Sequence, residues 1–256
     1  MRLRDKVAII TGGGRGIGRA TVEAYAREGA HVVIAEKDAR IGEEVAAALR
    51  ATGHSVIAIP TDVTHPDSVA ELVRRVLQER ARIDILVANA GINVFSEPLA
   101  MTMEQWKRCF SVDLDGVWNS ARAVLPAMLD QQNGSIIAIA SVHSFNIIPH
   151  CFPYPVAKHA VVGLVRALAI EYATQGIRVN AIAPGYIETQ LVRDHWASFP
   201  DPEAERRRAY ALHPPGRIGR PEEVAMTAVF LGSDEAPFIN AATLVIDGGR
   251  SVLYHE

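Results

Sequence analysis

Residues 6–20 read KVAIITGGGRGIGRA. The run Val7–Ile10 is short, apolar and rich in β-branched residues, the pattern of a buried strand. Glycines follow at positions 12, 13, 14, 16 and 18, and then a helix-like stretch runs to about Glu28. Glycine lets backbone N–H groups turn toward a ligand and lets that ligand come close. A helix N-terminus just behind such a turn adds unpaired donors and positive dipole, which suits a pyrophosphate. Position 19 is Arg, so the strict GxGxxG spacing is absent. A glycine turn alone is equally a plain loop, so its reading depends on the rest of the chain.

The chain has 256 residues, 49% hydrophobic and 21% charged, with net charge −3. This is an ordinary globular composition, large enough to bury a sizeable core without staples. The slight acidity and the lack of a basic block argue against nucleic acid or an anionic membrane as partner. The two cysteines, Cys109 and Cys151, read as free thiols rather than a disulfide framework. The N-terminus enters a strand directly, without the pattern of a signal peptide, and no run is long and apolar enough to span a bilayer. The expected compartment is the cytoplasm.

Strand-like runs fall at Val7–Ile10, Val32–Ala35, Val56–Ile59, Ile85–Ala88, Ile136–Ala140, Val179–Ile182 and Thr243–Ile246. Helical patterns lie near 16–28, 39–52, 67–80, 103–130, 156–174 and 221–232. Continuous apolar strands separated by helices predict an α/β fold: a doubly wound parallel sheet of seven strands, helices on both faces. One domain over 1–256 is expected. The least regular stretch, 188–216, reads as a substrate-binding insert or a surface excursion. Ligands in such sheets bind beyond the carboxyl ends of the strands. That rule gathers Thr11, Glu36, Asp62, Val63, Asn89, Ala90, Gly91, Ser141, Pro184 and Gly185 on one rim. Glu36, eighteen residues after Gly18, is placed to bond a ribose 2′-hydroxyl and to repel a 2′-phosphate. Arg15 and Lys37 are the candidate partners of a 2′-phosphate, so NAD is favoured and NADP remains open. Asp62 either faces the adenine side or caps the helix beginning near Pro66.

Several of these segments together resemble one family. TGGGRGIG at 11–18, ANAG at 88–91, Ser141, Tyr154-Pro-Val-Ala-Lys158 and PGYIET at 184–189 occur in the order and spacing of the short-chain dehydrogenases/reductases. The resemblance covers nearly the whole chain. It implies a Rossmann-like fold, reversible hydride transfer at an alcohol or carbonyl carbon, and a homotetramer or homodimer. For the cofactor it implies contacts from Gly12, Arg15, Gly16, Ile17, Gly18, Glu36, Lys37, Asp62, Val63, Asn89, Ala90, Gly91, Tyr154, Lys158, Pro184, Gly185, Ile187 and Thr189. The implied catalytic set is Ser141, Tyr154, Lys158 and Asp113. Asp113 stands where the family commonly has an asparagine whose backbone carbonyl holds a relay water.

The chemistry also follows from the residues. A base must take the alcohol proton, and tyrosine is a poor one at its ordinary pKa of about 10. A cation about 4 Å away supplies on the order of 4 kcal/mol at an effective dielectric of about 20. Lys158, one helical turn from Tyr154, is therefore expected to make the phenol acidic. Pro155 places Tyr154 at the helix boundary rather than inside it. Ser141 would hold the substrate oxygen by the phenol. No GxSxG or HExxH occurs, so neither a serine hydrolase nor a metal site is expected.

The stretch between Ser141 and Tyr154 carries His143, Asn146 and His150, and Asn93 and Glu188 lie near other strand ends. A pocket of such groups suits a small polar substrate, an aldose oxidised at position 1 or a polyol. The pattern is similar to that of L-arabinose-type sugar 1-dehydrogenases within the family. The alternatives are a reductase for a 3-oxoacyl thioester or small ketone, and a dinucleotide-binding regulatory protein without catalysis.

Overall fold

Each apolar run becomes a strand because both of its faces are covered. The structure, a computed structural model, describes residues 1–253. Its strands are β1 (Val7–Thr11), β2 (His31–Glu36), β3 (Val56–Pro60), β4 (Ile85–Ala88), β5 (Gly134–Ile139), β6 (Ile177–Pro184) and β7 (Thr243–Ile246). They form one parallel sheet in the order β3-β2-β1-β4-β5-β6-β7. The helices are α1 (Gly16–Arg27), α2 (Ala39–Ala51), α3 (Pro66–Arg80), α4 (Met103–Phe110), α5 (Gly116–Asp130), α6 (Tyr154–Tyr172), α7 (Gln190–Ala197), α8 (Pro202–Ala211) and α9 (Pro221–Gly232). Proline opens α3, α8 and α9, a position where its missing N–H costs nothing.

Alternate residues of β1 enter different cores. Val7 and Ile9 pack with Leu72, Val124 and Val161 from α3, α5 and α6. Ala8 and Ile10 pack with Val22, Val45 and Val229 from α1, α2 and α9. Between α1 and α9, fully buried Tyr25 donates its hydroxyl to the Ala228 carbonyl at 2.8 Å. The predicted strands and the order of helices agree with this sheet. Among the described residues no helix is long and apolar enough to cross a membrane.

Two segments differ from expectation. The predicted helix 103–130 is interrupted by a π-helical turn over Ser111–Asp115. Apolar periodicity does not register one extra residue in a continuous helix. The 188–216 insert is not irregular: α7 and α8 fold there around buried Trp196, Ala209 and Ile218. Its prolines open or flank helices rather than break them.

Candidate active site

The chain leaves β1 toward β2 and leaves β4 toward β5, in opposite directions, so a crevice opens between their carboxyl ends. Thr11 stitches its floor. Its Oγ1 accepts from the N–H groups of Asn89 and Ala90, each at 3.0 Å. The Asn89 side-chain amide donates back to the Thr11 and Gly12 carbonyls at 2.9 and 3.1 Å. Asn89 thus spends its amide on holding the two strand ends together.

Gly12 has φ +64°, and a Cβ at Gly18 would overlap the Gly12 carbonyl. Arg15, the N-cap of α1, makes no side-chain cap, so no side chain of that residue covers the donors of the first turn. This cradle fits the diphosphate of a dinucleotide. Thr189 lies across the turn: a Cβ at Gly16 would meet its methyl at 3.2 Å. Ile17 and Ile187 pack into the core behind it, and Gly185, after Pro184, donates its N–H to the Ile246 carbonyl at 2.9 Å.

At the ribose end, Glu36 accepts from the N–H groups of Gly14 at 3.2 Å and Asp38 at 3.3 Å. Lys37 pairs with Asp62 at 2.7 Å. Asp62 is not the cap of α3; that position is held by His65. Asp62 instead closes a local turn, accepting from Thr64 N–H and Oγ1 at 3.0 and 2.7 Å. Partial burial pushes its carboxyl up, but the bonds from Lys37 and Thr64 outweigh this and bring it to about 2. Arg15 is exposed. Val63 is buried, and its carbonyl accepts from Asn119 at 2.9 Å.

At the other end of the crevice Tyr154 is the first residue of α6, as Pro155 requires. Ser141 lies close enough to the Tyr154 phenol to favour its ionised form. Lys158 Nζ lies 5.4 Å from the centre of the Tyr154 ring and donates to the Ile139 carbonyl at 3.1 Å. Ser144, in the turn after β5, donates to the Lys158 carbonyl at 2.7 Å and fixes this end of α6. Asp113, in the π-helical turn, is fully buried, and its Oδ1 lies 3.4 Å from Lys158 Nζ. That oxygen also accepts from Ile92 N–H at 3.2 Å, while Cys109 Sγ donates to Oδ2 at 3.8 Å.

The electrostatics overturn one expectation. Burial raises the Tyr154 phenol above its ordinary value, and Lys158 does not fully offset it because the Asp113 charge works in the same direction as burial. Burial pulls Lys158 down, but Tyr154 and Asp113 together hold it above the ordinary lysine range. Asp113 itself is raised by burial despite Lys158. The lysine is therefore half of a buried ion pair, and it alone does not make the phenol acidic.

Of the expected substrate side chains, His143 comes nearest the phenol: its ring stands edge-on to Tyr154, centres 6.0 Å apart. Its Nδ1 meets the Asn146 carbonyl at 3.1 Å. A carbonyl only accepts, so the proton sits on Nδ1, and burial lowers the ring's pKa. Asn93, Asn146 and His150 are exposed, and Glu188 is engaged by Arg193 at 3.4 Å. Phe95 was not predicted. Its ring stands edge-on to Tyr154 at 5.8 Å, held there by a bridge between Phe95 and Pro153. The signal available was an aromatic residue in the loop directly after ANAG. Cys109, one helical turn before Asp113, was also missed. Among the described residues no group of His, Cys, Asp and Glu is arranged to hold a metal ion.

The family model described as enoyl-(acyl carrier protein) reductase matches residues 12–251. A cis-4-hydroxycyclohexanecarboxylate dehydrogenase from Sinomonas cyclohexanicum is 41% identical over 251 residues, 97% of this chain and 98% of that protein. The chain belongs to the short-chain dehydrogenases/reductases. As a member, it is an NAD(P)-dependent oxidoreductase. Another short-chain relative, a 3-oxoacyl-(acyl-carrier-protein) reductase from Thermotoga maritima, is 38% identical over 249 residues, 97% and 99% of the two chains. A solved short-chain dehydrogenase structure, an aldohexose dehydrogenase from Thermoplasma acidophilum, superposes with TM-score 0.91 at 36% identity, over 99% and 97% of the chains.

Proposed function

We propose that this chain oxidises a ring-borne secondary alcohol of a small polar molecule, an aldose at position 1 or a cyclic polyol, with NAD as the preferred acceptor. The observation that carries this is the cluster of Ser141, Tyr154 and Lys158 beside the glycine turn. Ser141 and the Tyr154 phenol would hold the alcohol oxygen; the alcohol proton passes to the Tyr154 oxygen as its carbon gives up hydride. Bound NAD supplies the hydride acceptor. Phe95 offers an apolar edge for the C–H face of a ring, and His143 offers a polar one for a hydroxyl. The named substrates of two similar proteins, a hydroxycyclohexanecarboxylate and an aldohexose, support a ring. Glu36 supports NAD, since its carboxylate lies at the Gly14 N–H where a 2′-phosphate would come near it.

In this reading residues 1–256 act as one domain and 188–216 covers the substrate. The exposed apolar residues Trp118 of α5 and Val156 and Ile170 of α6 support assembly through those helices as a homodimer or homotetramer. A second reading, reduction of a 3-oxoacyl thioester or small ketone, draws on exposed Ile147 and Ile148 in the stretch between Ser141 and Tyr154 and on the Thermotoga relative. NADH formation across a panel of aldoses, cyclic polyols and simple secondary alcohols, with the reverse reaction on ketones and acyl thioesters, separates the two. Tyr154→Phe is expected to lower turnover by about 10³-fold, with the fold retained. If thioesters turn over far faster than any sugar or polyol, the second reading replaces the first. If Tyr154→Phe retains turnover, the catalytic assignment fails.

A further inference from the structure

The ion pair of Lys158 with Asp113 has no counterpart in the chemistry just described, which needs only the lysine. We propose that Asp113 is a positioning residue whose carboxylate offsets the Lys158 charge and so sets the pH at which Tyr154 ionises. This rests on the assignment of Tyr154 as the base.

Three observations carry it. The pair is sealed: Lys158 is 3% exposed and Asp113 0%, so little water screens either charge. The carboxylate is held in place from three sides, by Lys158 of α6, by the Ile92 N–H after β4 and by Cys109 of α4. The lysine faces the phenol ring at 5.4 Å, so whatever neutralises it is felt by Tyr154. The titratable groups facing this cluster are Lys158 and Tyr154 from α6, Cys109 from α4, Asp113 from the π-helical turn and His143 from the turn after β5, whose ring stands edge-on to the phenol. Burial pushes the Cys109 thiol up to about 12, so it stays neutral and serves as a donor. An anion and a cation side by side leave the phenol with little net field. Its ionisation then waits for a further positive charge at the site, of the kind an oxidised nicotinamide carries.

Asp113→Asn keeps the shape and removes the charge. Its Oδ1 can still accept from Ile92 and Lys158. Asp113→Ser also removes the charge and gives an independent check. Tyrosinate absorbance of the ligand-free protein is titrated in the near ultraviolet for each form. The same titration with Tyr154→Phe in each background is subtracted, which isolates one of six tyrosines. The Tyr154 midpoint is expected to fall by about one pH unit in both Asp113 variants, with thermal unfolding still cooperative. The ascending, low-pH limb of the profile for alcohol oxidation, which follows deprotonation of the base, should move the same way. An unmoved or raised midpoint in folded protein overturns the proposal. So does a fall with Cys109→Ser as large as that with Asp113→Asn, since that change keeps the carboxylate. The absorbance titrations involve no turnover, so their failure is separate from a failure of Tyr154→Phe to lower activity.

Discussion

At the scale of single residues, position along a strand decides chemistry. Glu36 ends β2 and is aimed by two backbone N–H groups, which fixes a negative charge beside the glycine turn. Glu36→Gln is expected to remove the repulsion of a 2′-phosphate and raise kcat/KM with NADP about tenfold relative to NAD, measured with both cofactors. Acid titration tests two other carboxylates. Asp62 is held at about 2, as described, and Glu223 is brought to about 2 by its bonds from Arg217 and the Arg220 N–H. Both folded-state values lie below the unfolded ones, about 3.9 for Asp and 4.3 for Glu. Their contribution to stability is therefore present above pH about 4.5 and lost as pH falls toward 2. Asp62→Asn and Glu223→Gln should each flatten the fall of the unfolding midpoint over that window. Most of these residues were legible as strand ends. What was not legible is which neighbour each would meet: spacing places Asp62 near the rim, but only the folded chain shows Lys37 and Thr64 occupying it.

At the scale of elements, the turn from β1 into α1 is the most constrained. A methyl at Gly18 would overlap the Gly12 carbonyl, and backbone cannot step aside as a side chain can. Gly18→Ala is expected to abolish dinucleotide binding, followed by calorimetry, and to destabilise by about 1–3 kcal/mol in chemical denaturation. The strands and the helix sequence were readable because sheet burial on both faces leaves an unbroken apolar run. The π-helical turn was not, because an amphipathic pattern tolerates one inserted residue. The start of α6 was readable from Pro155, since proline constrains both itself and the residue before it.

At the scale of the molecule, two cores sandwich the sheet, a small cluster lies beside Tyr154, and another sits apart beneath α7 and α8. The sequence suggested a loop at 188–216 because prolines and charges are dense there, although Pro202 opens α8 and the glutamates and arginines pair along its exposed face. A small separate core predicts separate stability. Trp196→Ala should raise KM for substrate and expose Arg193, Arg206, Arg207 and Arg208 to trypsin. The main unfolding midpoint should shift little. Cleavage and KM as in the parent protein would show that the insert is fastened to the main body rather than to itself.

The interrupted helix between α4 and α5 has a consequence for how this scaffold tolerates change in length. Each residue of a regular helix turns it by roughly 100°. Deleting a single amino acid within 111–115 would relax the bulge into ordinary winding and lengthen no loop, yet it would swing the acidic side chain out of register with its ammonium partner. Insertions elsewhere along 103–130 would turn buried side chains such as Cys109, Val117, Val124 and Met128 away from the cores they fill. The segment thus works as a vernier, in which one surplus residue sets the angular address of everything upstream of it.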